Sequence, residues 1–160
     1  MILPILTYGS NCWFANVEGC RILENIQKKS LVWINGPNDY RLNLKDCNVL
    51  PISLYLQILD LLFLSKIMHG HYDINIEDYL CLREVNQTTR SSEKLTFNLS
   101  WPNKVTTKHS FFYRTEYLVN KLPNYIDFGN PVGLKNRLIN YFWQYFDTQY
   151  QENSSQTWRI

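Results

Sequence analysis

A chain of 160 residues is long enough to bury one hydrophobic core and too short for a complete multidomain polymerase. With 45% apolar, 15% aromatic and 19% charged residues, the composition excludes a disordered tail. The net charge of +2 falls well short of a strongly basic footprint, but it is unevenly spread: residues 1–80 hold 6 Lys/Arg against 8 Asp/Glu, and residues 81–160 hold 10 against 6. A mildly basic second half fits nucleic acid and an ordinary protein surface alike.

In chain order, the first 13 residues read as a helix, with Pro4 in its first turn and Gly9 inside it at a cost of about 1 kcal/mol. The apolar start at residues 2–6 lacks the basic flank and the length of a secretory signal. A second helix is expected over 16–34. Cys20, Leu23, Ile26, Leu31 and Ile34 share one side of it, and Arg21, Glu24, Asn25, Lys28 and Lys29 the other. Asn35-Gly36-Pro37 supplies its stop. Residues 38–48 read as a polar connection carrying Tyr40, Leu42 and Leu44.

Pro51 opens a third helix that ends near Met68, with Gly70 just beyond. Apolar residues cover most of its circumference, which predicts a place at the centre of the core. Gln57, Asp60 and Lys66 interrupt the run and make it a buried helix rather than a membrane span. His69 and His71 flank Gly70, where the helix dipole favours cations, so capping is expected there rather than a metal. A short helical turn is predicted around 76–82.

From 83 to 109 the texture becomes polar and basic, with Leu95, Phe97, Leu99 and Trp101 alternating against polar residues. That pattern predicts a short strand or an extended irregular arm. Helix resumes over 110–122 and stops at Pro123. A last helix follows Asn130-Pro131, with Leu134, Leu138, Tyr141, Phe142 and Tyr145 as its apolar stripe and Trp143 off that stripe. Residues 151–160 read as a polar tail after a single domain over 1–150. The fold class expected is mainly all-α, five or six helices around the one that starts at Pro51.

Chemistry-bearing patterns are missing. There is no Asp-Asp pair, no Gly-rich phosphate loop, no H-E-x-x-H and no G-x-S-x-G. Glu77-Asp78 sits at an expected helix start, where the dipole accounts for it. Cys12, Cys20, Cys47 and Cys81 form no C-x-x-C pair and read as reduced, mostly buried thiols of an intracellular protein, nucleus or cytoplasm left open. No cofactor, metal or membrane partner is expected, and no catalytic residue is assigned.

Six stretches, in order, resemble the region that follows the polymerase palm in non-LTR retrotransposon reverse transcriptases. They are ILPILTYGSNCW (2–13), LENIQKKSLVWING (23–36), YRLNLKDCNVLPISLYLQILDLLFLSKIMHG (40–70), TRSSEKL (89–95), HSFFYRTEYLVNKLP (109–123) and LKNRLINYFWQYF (134–146). The third contains the family's Asp-Leu-Leu-Phe-x-x-Lys helix, and the fifth its Phe-Phe-x-Arg block. The resemblance implies a helical thumb and post-thumb region that helps grip the template–primer duplex. The metal-binding aspartates of that family belong upstream, in a palm missing from this chain.

Val119 stands where the family usually has tryptophan, and the chain stops before the family's closing Cys-rich motif, which suggests a truncated copy. The implied activity is non-catalytic and salt-dependent, with Arg90, Lys94, Lys104, Lys108 and Arg114 on RNA or DNA phosphates. The alternatives are a small protein-interaction module, self-associating through the first helix at Ile2, Leu3, Ile5 and Leu6, or a remnant without function.

Overall fold

The computed structural model describes residues 5, 7–13, 17–81, 97–98, 110–128 and 130–156. These residues make a mainly helical fold with six α-helices: α1 (Ser10–Trp13), α2 (Val17–Asn35), α3 (Tyr40–Asp46), α4 (Ile52–Met68), α5 (Phe111–Lys121) and α6 (Leu134–Gln156). A single 3-10 turn at Ile76–Asp78, capped by the Asn75 side chain, fills the place of the short helical turn expected there.

Helix α4 is central. It contacts α1, α2, α5 and α6, as its all-round apolar surface requires. Ile58, Leu61 and Leu64 belong to one core cluster with Val119 and Leu122 of the α5 end and with Leu134, Leu138 and Phe142 of α6. Leu31, Leu44, Ile52 and Leu56 are buried on α2, α3 and the first half of α4. Each such aliphatic side chain contributes about 1.5–3 kcal/mol when removed from water. Among the described residues, no helix is long and apolar enough to cross a membrane.

The ends of α4 are built from its sequence. Pro51 is the N-cap. At the other end Gly70 adopts φ +71°, its N–H donates to the Ile67 carbonyl, and His71 N–H donates to the Lys66 carbonyl. This pair of bonds is the glycine-dependent C-terminal motif that closes a helix. His69 Nδ1 lies 2.7 Å from the Ser65 carbonyl oxygen, so the first histidine caps the helix as expected.

Five expectations need correction in these elements. The first helix is broken: Gly9 takes φ +61°, residues 7–9 form a turn, and α1 begins only at Ser10. Glycine reaches that conformation without steric cost, so a turn competes with the helix. The connection over 38–48 is in fact α3, started by the Asp39 carboxylate accepting from Arg41 N–H at 3.2 Å. Its Leu44 is fully buried.

The last helix starts at Leu134 rather than beside Pro131, because Gly133 at φ +71° inserts a turn. The Arg137 guanidinium secures that turn by donating to the Asp127, Asn130 and Val132 carbonyls. With no breaker after Tyr150, α6 then runs to Gln156 and includes the first part of the expected tail. Finally, the four thiols are free but not buried: Cys12 and Cys81 are exposed, Cys20 and Cys47 half-buried.

Trp143, off the expected stripe of α6, is half-buried against the core, edge-on to Phe146 at 6.0 Å.

Candidate functional site

Helix α4 carries Asp60 in a mostly apolar surface, and its carboxylate is completely buried. A charge there is tolerated only if paired and hydrogen-bonded. Arg114 on α5 supplies the pair, with Nη2 at 3.0 Å and Nε at 3.2 Å from Oδ2. Asn11 on α1 donates to the other carboxylate oxygen at 2.9 Å, and Arg114 Nη2 returns a bond to the Asn11 carbonyl at 3.2 Å. Three helices are thus joined at one point. Burial pushes the Asp60 carboxyl up to about 6, against the downward pull of Arg114 and Asn11.

A second polar network joins α2 to the start of α4. The apolar stripe of α2 was expected to include Ile26 and Ile34; both are exposed, and Gln27 is buried in their stead with Glu24 half-buried beside it. The reason is the N-terminus of α4, whose free N–H groups need acceptors. Gln27 Oε1 accepts from Ile52 N–H at 2.8 Å, and its Nε2 donates to the Leu50 carbonyl at 2.8 Å. Glu24 accepts from Ser53 N–H at 3.4 Å, at the end of the helix where negative charge is favoured. The single Tyr40 hydroxyl proton is shared between the Glu24 carboxylate at 2.5 Å and the Gln27 amide oxygen at 2.9 Å. Burial, then the Glu24 carboxylate, raises the Tyr40 phenol above its ordinary value.

The basic arm is described only at Phe97 and Asn98. Phe97 is buried in the core cluster. The Asn120 side chain accepts from Phe97 N–H at 2.9 Å and donates to Phe97 C=O at 3.0 Å, a side-chain imitation of a strand neighbour. Asn98 N–H donates to the Cys81 carbonyl. The alternation that predicted an extended segment is thus anchored at one buried aromatic.

Of the residues expected on phosphates, Arg90, Lys94, Lys104 and Lys108 lie outside the described residues. Arg114 is 14% exposed and turned inward onto Asp60, away from any ligand in solvent. Among the described residues, no group of three or more His, Cys, Asp or Glu side chains is arranged to hold a metal ion. Of the four apolar residues expected to make the first helix adhesive, Ile5 is exposed and the other three lie outside the described residues.

Sequence reading passed over Asn11, Gln27 and Asn120. Their signal was present for Gln27 alone: at 100° per residue it lies on the same side as Leu23 and Leu31.

Comparison with protein-family models, with curated proteins and with solved structures returned no match.

Proposed function

We propose that this chain is a non-catalytic helical scaffold of the kind that follows the palm in non-LTR retrotransposon reverse transcriptases, and that its ligand is a nucleic-acid backbone. One observation carries the reading. Asn11, Asp60 and Arg114 come from the first, third and fifth of the resembling sequence blocks, and they meet in a single buried network. Asp60 opens the Asp-Leu-Leu-Phe-x-x-Lys pattern, and Arg114 is the arginine of Phe-Phe-x-Arg. The network ties three of the resembling blocks into one scaffold, which is what the reading requires of them.

In this reading the pair holds the scaffold together, and phosphate contact falls to Arg90, Lys94, Lys104 and Lys108 in the arm. Arg114 is left out because Asp60 holds its guanidinium. Contacts of this kind fix position on a strand but carry little base information, so binding is largely independent of sequence. A palm carrying the catalytic aspartates is the partner in this reading, and the interior of the cell is the setting.

The test is an electrophoretic shift on single-stranded and duplex RNA and DNA at about 50 mM salt. A micromolar shift that disappears as salt rises, and weakens in the combined Lys94→Ala, Lys104→Ala, Lys108→Ala variant, is the expected result. A chain that shifts none of these ligands at micromolar concentration has no such function.

A further inference from the structure

We infer that the chain associates with further copies of itself head to tail, the outer face of α2 in one copy seating on the segment 72–79 of the next. The outer face of α2 is unusual for a surface. Ile22, Ile26 and Trp33 are exposed, and with Lys29 they run along one line of the helix at spacings of four, three and four residues. Trp33 is 88% exposed. Arg21 is already neutralised by Glu18 at 2.6 Å, so Lys28 and Lys29 set the charge of this face. The Lys28 ammonium, about a third of a turn round the helix from this line, is held over the Tyr40 ring, 4.9 Å from its centroid.

The segment after α4 carries the complementary set. Tyr72, Ile74 and Tyr79 are exposed large side chains, and Asp73, Glu77 and Asp78 are exposed among them. Among the described residues, none of these three acids takes part in a salt bridge. The surface is also preformed. Tyr79 is stacked on Phe112 with centroids 4.4 Å apart, Tyr72 packs on Phe63 at 5.0 Å, and Asn75 caps the turn between them.

An apolar line that includes Lys29 thus faces, on another copy, apolar side chains set among three acids. A large exposed tryptophan is the residue type that most often anchors an interface. Opposite charges at the rim set the register and steer the encounter. Each contact uses the α2 face of one copy and the 72–79 segment of the other, which leaves one surface of each kind on the pair for further head-to-tail contacts.

Sedimentation velocity on the full chain tests this, from about 1 to 100 µM, the range of a weak interface. The expected result is a mass that rises with concentration and falls as salt is added. Trp33→Glu and the Asp73→Lys/Asp78→Lys double variant should each be monomeric, with unchanged helical circular dichroism because all three positions are exposed. Mixed in equal amounts, they should form a 1:1 complex that grows no further, since each retains the surface the other has lost. A wild-type chain that stays monomeric, a double variant that still self-associates, or a mixture that stays monomeric overturns the proposal. So does a mass that rises only when an oligonucleotide is present.

Discussion

Asp60 and Trp33 stand on helices that touch each other, α4 and α2, and depart from the usual distribution of side chains in opposite directions. Asp60 is a carboxylate with no exposed surface; Trp33 is a large apolar ring almost wholly in solvent. The buried charge is satisfied within the chain, by Arg114 and Asn11. Among the described residues, nothing covers the exposed ring. A misplaced polar group that has found its partners is part of how the scaffold holds together, whereas a misplaced apolar group without them points outward to a partner. Substitutions at the two places should therefore divide cleanly between stability and association.

The largest effect is expected at the ion pair. Asp60→Leu or Arg114→Met leaves one buried charge without its counter-charge, and each should cost about 3–5 kcal/mol in urea unfolding. The double variant should recover most of that loss, because two apolar side chains of similar size fill the same space without desolvated charge. A double variant as unstable as the singles would show that the pair does more than match charge.

The same carboxyl gives a pH signature. In the folded chain Asp60 titrates near 6, against an ordinary value of 3.8, so the folded state holds an extra proton between them. Its contribution to stability is fully present below 3.8 and is lost as pH rises through about 6. Asp147 acts in the other direction: hydrogen bonds from Arg41 and Lys45 hold its carboxyl below the usual range, and that contribution is lost as pH falls. Unfolding curves between pH 4 and 7 should show the Asp60 gain on acidification in the wild type, and Asp60→Asn should remove it.

Next comes Gln27, the buried amide that serves the start of α4. Gln27→Leu leaves the Ile52 N–H and the Leu50 carbonyl without these partners and should cost about 2–3 kcal/mol by the same unfolding measurement. Asn120→Leu releases two bonds to the Phe97 backbone, for about 1–2 kcal/mol. Faster amide exchange at Phe97 than elsewhere in the core is the local readout. Smallest is Trp33→Glu, whose stability should stay within about 0.5 kcal/mol of wild type. A larger loss there would mean that the ring packs inside the chain after all and would remove the contrast with Asp60.

Periodicity located α2, α4 and α6 by their apolar patterns, and Gly36, Gly70 and Pro123 marked the ends of α2, α4 and α5. It passed over α3, where the only pattern is Leu42 and Leu44 two residues apart. The signal that would have found it is the N-cap at Asp39. It extended the first helix through Gly9 and began α6 too early, because whether a glycine turns left-handed depends on what surrounds it. For the candidate site, sequence supplied the list of basic residues but not their directions. Arg114 reads as one more cation in a basic half until the helix bearing Asp60 is placed beside it.

From its sequence alone this chain is committed to be a small helical protein around one apolar helix, since hydrophobic spacing and helix stops are local properties written residue by residue. Tertiary structure decided which polar residues meet: Asn11 with Asp60 and Arg114, Gln27 with the start of α4, Asn120 with Phe97. Those pairs are separated by between 23 and 103 residues along the chain, and only packing brings them within hydrogen-bonding reach. The same packing left Ile22, Ile26 and Trp33 outside, because the side of α2 turned inward is the one that completes the backbone of its neighbour.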